Sequence, residues 1–149
     1  MSKVTVWTDE GLRTVVTARD QVWYADEPEE GGGTNTAATP TEQMLGALGS
    51  CIVITLHLVA RRKNWPLERV EVHLDIKRFA GNEYPAYKGD EQFVHEIKEK
   101  VIVHGADLTD DQRKMLLDIA TRCPVRRVLM HPVFFVEPEA EETEGVTTG

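Results

Sequence analysis

A chain of 149 residues has room for one domain with a real core and is too short for two comfortable ones. With 28% charged and 41% hydrophobic residues, it has the balance of an ordinary soluble globular protein. The net charge of −8, with no basic run beyond "ARRK", argues against a nucleic-acid partner, because phosphate binding needs clustered Lys and Arg.

The chain opens with alternating apolar and polar residues in "KVTVWT", "RTVVTA" and "QVWYA", and "TDEGL" supplies turn chemistry after the first. This pattern predicts a meander of two or three antiparallel strands. No apolar h-region stands at the start, so no secretory signal is read there and a cytoplasmic location is expected. The stretch "DEPEEGGGTNTAATP" is a loop, long enough to predict a functional or mobile segment. "TPTE" then announces a helix. Thr39 can cap it, Pro40 fits its first position, and Glu42 stands where a capping-box acid returns to the cap.

That helix should run to about Lys63, where three basic residues suit the negative end of its dipole and "NWP" stops it. Its segment "MLGALGSCIVITLHLVA" is the one candidate membrane span, but it is short and carries Ser50, Thr55 and His57, so it reads as a core helix. Because it is apolar or small on nearly every face, it must be surrounded. A small sheet covers one side at most, which predicts a homodimer.

Beyond it, "ERVEVHLDIKRF" alternates as a half-buried strand, "AGNEYPAYKGDEQ" is a polar loop, and "FVHEIKEKVIVHG" is a second long strand. "LTDDQRKMLLDIATRC" is a helix with its own capping box, Thr109 with Gln112. "CPVRRVLM" gives a further helical turn and "PVFFVE" a last strand. Strands in runs, not in strict alternation with helices, imply an α+β domain with antiparallel sheet over residues 1–138. The acidic residues 139–149 form a tail expected to be disordered.

Two cysteines are the candidate chemistry. In a reducing cytoplasm they point to catalysis, redox activity or metal binding more than to a permanent staple. Cys51 lies about three turns into the long helix, with Ala47, Thr55 and Leu58 at helical spacing, and Gly46 and Gly49 let another backbone come close. It is either a reactive thiol or a small buried hydrophobe. Cys123 precedes Pro124 and can cap the following turn, where amide N–H groups with Arg126 and Arg127 would lower its pKa. It is that, or a helix terminator closing the core. His57, His73, His95, His104 and His131 show no ligand spacing, so no metal site is expected. No "GxSxG" and no P-loop spacing occurs.

The segments "TPTEQMLGALGSC", "ARRKNWPLERVEVHL" and "LTDDQRKMLLDIATRCPVRRVL" resemble the OsmC/Ohr superfamily of osmotically inducible and organic hydroperoxide resistance proteins, closest to its OsmC-like branch. The carrying features are a helix-starting Pro with Cys eleven positions later, Pro40 and Cys51, and a second helix ending in Cys-Pro-Val. The resemblance spans most of the chain. It implies an OsmC-like fold, with antiparallel sheet wrapped on a long central helix in an intertwined homodimer. It also implies a thiol peroxidase for organic hydroperoxides, with Cys51 peroxidatic and Cys123 resolving. No bound cofactor is implied, only an external dithiol reductant such as a lipoylated protein. The family's peroxidases carry Glu directly after the Pro, where this chain has Thr41. Glu42 is one residue on, turned about 100° around the helix. They also use an N-terminal Arg beside the thiolate, for which Arg13 and Arg19 are the candidates here. The alternative is a non-peroxidase OsmC-like dimer that binds a small hydrophobic ligand and uses its cysteines as a redox switch.

Overall fold

The computed structural model describes residues 3–136. The amino-terminal meander forms as expected: β1 (Thr5–Thr8), β2 (Thr14–Ala18) and β3 (Gln21–Ala25) make a three-stranded antiparallel sheet in the order β1-β2-β3. The loop after it is folded tightly. The buried Asp26 carboxylate gathers it, accepting hydrogen bonds from the Glu27 amide at 2.8 Å, the Thr34 amide at 3.1 Å and hydroxyl at 2.6 Å, and the Thr36 amide at 3.1 Å and hydroxyl at 3.0 Å. Gly33 is required there, because a side-chain carbon on it would fall 2.0 Å from the Glu27 carbonyl oxygen. The predicted functional or mobile segment is thus a bend closed on one buried acid, and it delivers Thr39 to the start of the long helix.

That helix, α1, spans Pro40–Lys63. Thr39 and Glu42 form the expected capping box, and Asn64, left-handed at φ 54°, closes the far end. Leu48, Ile52, Leu56 and Ala60 recur at intervals of four and are buried, so one stripe of α1 is the spine of the core. Against it lies a two-stranded antiparallel sheet of β4 (Arg69–Ala80) and β5 (Phe93–His104), with Val70 opposite Val103 and Leu74 opposite Glu99. Helix α2 (Asp110–Ala120) adds Leu116 and Ala120, and the short α3 (Pro124–Met130) follows directly after Cys123. Gly49 lets β4 come close to α1, since a methyl there would meet Leu74 Cδ1 at 3.3 Å. Gly46 has open space around it, with no neighbour within 4 Å of a side-chain carbon placed there among the described residues.

The antiparallel strands thus fall into two separate sheets. Gln43 ties the amino-terminal sheet to α1, accepting from the Trp23 indole at 3.1 Å and donating to the Tyr24 carbonyl at 2.6 Å. Considerable apolar surface stays open in the single chain. Ile54 and Leu58 on α1 are more than half exposed, at 58% and 54%, as are Val6 and Val22 on the amino-terminal sheet.

The predicted last strand does not form. Residues 132–136 run without a strand partner, and Phe134 and Phe135 are 85% and 98% exposed; Glu137 and the acidic tail lie outside the described residues. The composition of "PVFFVE" is strand-like, but a strand exists only where an edge receives it, and among the described residues none does.

Candidate active site

Cys51 and Cys123 are far apart in sequence and adjacent in the fold. Cys51, half-buried on α1, packs against the core cluster to which Cys123 belongs, and it is near enough to help raise the Cys123 pKa. Both are free thiols. Cys123 is the amino-terminal cap of α3. Its Sγ accepts a hydrogen bond from the Arg126 amide at 3.4 Å, and Pro124 in the first turn gives up no donor by lacking an N–H.

The expected lowering of the Cys123 pKa is overturned. Burial pushes this thiol up; the Arg126 amide opposes the rise, and Cys51 and the Glu99 carboxylate add to it. Neither arginine supplies the free charge that the sequence promised. The Arg126 guanidinium is bound to Glu99, with Nη1 2.9 Å from Oε1, and Arg127 is exposed. Cys123 is therefore a neutral, protected thiol at neutral pH.

The other sequence candidates stand apart from the cysteines. Glu42 closes the capping box, its Oε2 accepting from the Thr39 amide at 2.8 Å, and faces a groove of about 620 Å³ shared with Gly46, Gly49 and Leu74. Arg13 pairs with Asp9 at 3.2 Å and lies over the Tyr24 ring, 4.2 Å from its centroid. Arg19 is exposed in the turn between β2 and β3, left-handed at φ 55°. Within the chain, neither arginine reaches the thiol pair.

Two adjoining depressions run along one face of α1. The outer, about 540 Å³, is lined by Thr41, Met44, Ile76 and Arg78 among others; the inner, about 250 Å³, holds Leu48, Glu99 and Arg126. His95, Ile97 and Leu129 line both. Thr41, Met44, Leu48 and Cys51 follow one another at steps of three and four residues, so they share a helical stripe and Cys51 stands one turn beyond Leu48. Thr41, and not Glu42, thus sits on the cysteine-bearing face. Glu99 was missed by the sequence reading although its signal is present. Counting by twos along β5, the face of Ile97, Val101 and Val103 includes one carboxylate.

A thiol beside a second thiol is an arrangement suited to reversible disulfide chemistry. Comparison with known proteins agrees with the fold. No curated protein sequence matches the chain. An OsmC-like protein from Mycoplasma pneumoniae superposes with a TM-score of 0.68 at 19% identity, covering 87% of each chain. The organic hydroperoxide resistance protein OsmC of Legionella pneumophila gives 0.60 at 17% identity, covering 87% of this chain and 88% of that one. The organic hydroperoxide resistance protein OhrB of Bacillus subtilis gives 0.54 at 17%, covering 86% and 89%. At these identities the likeness carries the fold alone. The sequence model for OsmC-like protein matches residues 32–137, which takes in both cysteines and everything between them, and the chain accordingly belongs to the OsmC family.

Proposed function

We propose that this protein is a thiol-dependent peroxidase that reduces organic hydroperoxides to alcohols, with Cys51 as the attacking thiol and Cys123 as the resolving one. The observation that carries the reading is the pairing of a partly accessible thiol with a buried one, with a groove lined by Leu48 one helical turn from Cys51. In the cycle, the Cys51 thiolate attacks the peroxide's terminal oxygen. The S–O bond forms, the O–O bond breaks, and the electron pair leaves with the alkoxide. Sulfur is oxidised by two electrons and the peroxide reduced by two. The protonated Cys123 then condenses with the sulfenic acid, water leaves, and an external dithiol reduces the resulting disulfide. A lipoylated protein of the cytoplasm is the proposed reductant. The apolar lining favours organic peroxides over hydrogen peroxide. A homodimer is part of the same proposal, because the open faces of α1 and of the amino-terminal sheet need cover.

The test follows consumption of cumene hydroperoxide and of hydrogen peroxide with dihydrolipoamide, for wild type, Cys51→Ser and Cys123→Ser. Fast turnover of the organic peroxide that is lost in Cys51→Ser supports the reading, whereas near-blank rates in all three overturn it. A second reading, an OsmC-like dimer that binds a small hydrophobic ligand and uses its cysteines as a redox switch, has two observations in its favour. Thr41 replaces the expected acid, and Arg13 is engaged by Asp9 and Tyr24, away from Cys51. Tight binding of a non-peroxide apolar ligand with no peroxide turnover would select it.

A further inference from the structure

The face of the β4–β5 sheet that packs toward α1 changes character at one end. Its cross-strand pairs run Val70 with Val103, Val72 with Val101, Leu74 with Glu99 and Ile76 with Ile97, and then comes Arg78 with His95. This last pair lines the outer depression of about 540 Å³, together with the apolar Met44, Ile76, Ile97 and Leu129. The charge of Glu99 is answered by Arg126 at 2.9 Å. Nothing answers Arg78: among the described residues no carboxylate comes within ion-pair distance of it or of His95, in a chain whose net charge is −8. The Arg78 guanidinium lies over the Phe93 ring, 4.7 Å from its centroid. That contact steadies the group through the ring face and uses none of its N–H donors.

We propose that the outer groove binds an amphipathic carboxylate, its unbranched alkyl chain lying on Met44, Ile76, Ile97 and Leu129 and its head on Arg78 and His95. The planar guanidinium presents two parallel donors to the two carboxylate oxygens, and the His95 ring supplies another N–H. Charge complementarity selects the head. An alkylammonium is repelled by Arg78, and an alcohol of the same chain length forgoes the ion pair. The groove also has length for the chain. His95, Ile97 and Leu129 line the inner depression as well as the outer, and the four residues from His95 to Glu99 span about 14 Å of strand. The inference goes beyond both readings of the cysteines, because it concerns a ligand of the groove and requires neither thiol to react.

The experiment is isothermal titration calorimetry on the reduced, full-length protein with no peroxide present. Decanoate is compared with decanol and with decyltrimethylammonium, for wild type, Arg78→Met and Leu129→Gln. Decanoate is expected to bind wild type at least about fivefold tighter than either of the others, as for a charge-assisted hydrogen bond gained. Arg78→Met keeps the reach of the side chain and removes its charge; it should weaken decanoate at least about fivefold and leave decanol within about twofold. Leu129→Gln alters an exposed side chain on the groove wall and should weaken both ligands at least about twofold. Absence of decanoate binding, a smaller preference over decanol, or a smaller effect of Arg78→Met returns Arg78 to a solvated strand-end charge and overturns the assignment. Arg78→Met that weakens decanol in proportion, or Leu129→Gln that spares either ligand, overturns it too. None of these outcomes touches the peroxidase reading, which is decided by turnover of cumene hydroperoxide, and loss of that reading leaves the titration unchanged.

Discussion

Cys123 caps the helix that carries Arg126, its sulfur taking the Arg126 amide hydrogen at 3.4 Å. One residue therefore has two duties, holding α3 and facing Cys51, and substitutions separate them. Serine is a better cap than cysteine, so Cys123→Ser should fold with near wild-type stability while losing any disulfide with Cys51. Cys123→Ala loses the cap as well and should be about 1 kcal/mol less stable than the Ser variant in urea denaturation.

The same thiol predicts a pH effect whose sign is fixed by its surroundings. Its folded pKa is raised above the ordinary 9.0, so its contribution to stability is complete below that value and is lost as pH rises through the folded one. Comparing wild type with Cys123→Ser between about pH 8 and 11, wild type should lose ground as pH rises, since only it must ionise a buried thiol on unfolding. Parallel curves would contradict this.

Asp26 gives the opposite case. The Thr34 hydroxyl, then the Thr36 amide, hold its carboxyl far below the usual carboxylate range. Its stabilisation is present above the ordinary value of 3.8 and is lost as pH falls further toward the folded value. Asp26→Asn should lower the thermal midpoint at neutral pH more than Thr36→Val does. The gap from wild type should narrow as the buffer is taken below about pH 4.

Ile54 and Leu58 test the dimer. Both are exposed on α1 in the single chain, so a charge on either should not disturb the core. If a second copy covers them, Leu58→Glu should shift sedimentation toward a monomer while far-ultraviolet circular dichroism keeps its helical signature. An unchanged sedimentation coefficient for Leu58→Glu and Ile54→Glu would place the contact elsewhere.

Most of the fold was legible because its signals are local. The capping boxes at Thr39 and Thr109 and the alternation in β4 and β5 each depend on neighbours within four residues. What failed depends on distant partners. "PVFFVE" has the composition of a strand, but only an edge from elsewhere could make it one. The charge state of Cys123 could not be read from Arg126 and Arg127, because burial by other elements dominates it and Glu99 on β5 engages Arg126. The position of Asp26 as the organiser of its loop was equally hidden, since an acid before "EPEE" looks like one more solvated charge. Glu99 alone was within reach, as an acid out of place in an inward row.

Cys123 has no exposed surface. On the proposed cycle a reductant must then enter at the Cys51 sulfur and expel Cys123. A leaving thiol with a raised pKa departs slowly. The burial that protects the reduced enzyme would make its reset the bottleneck, so under sustained peroxide the molecules would accumulate oxidised. The supply of reducing dithiol would then set the throughput, and the peroxide concentration would not.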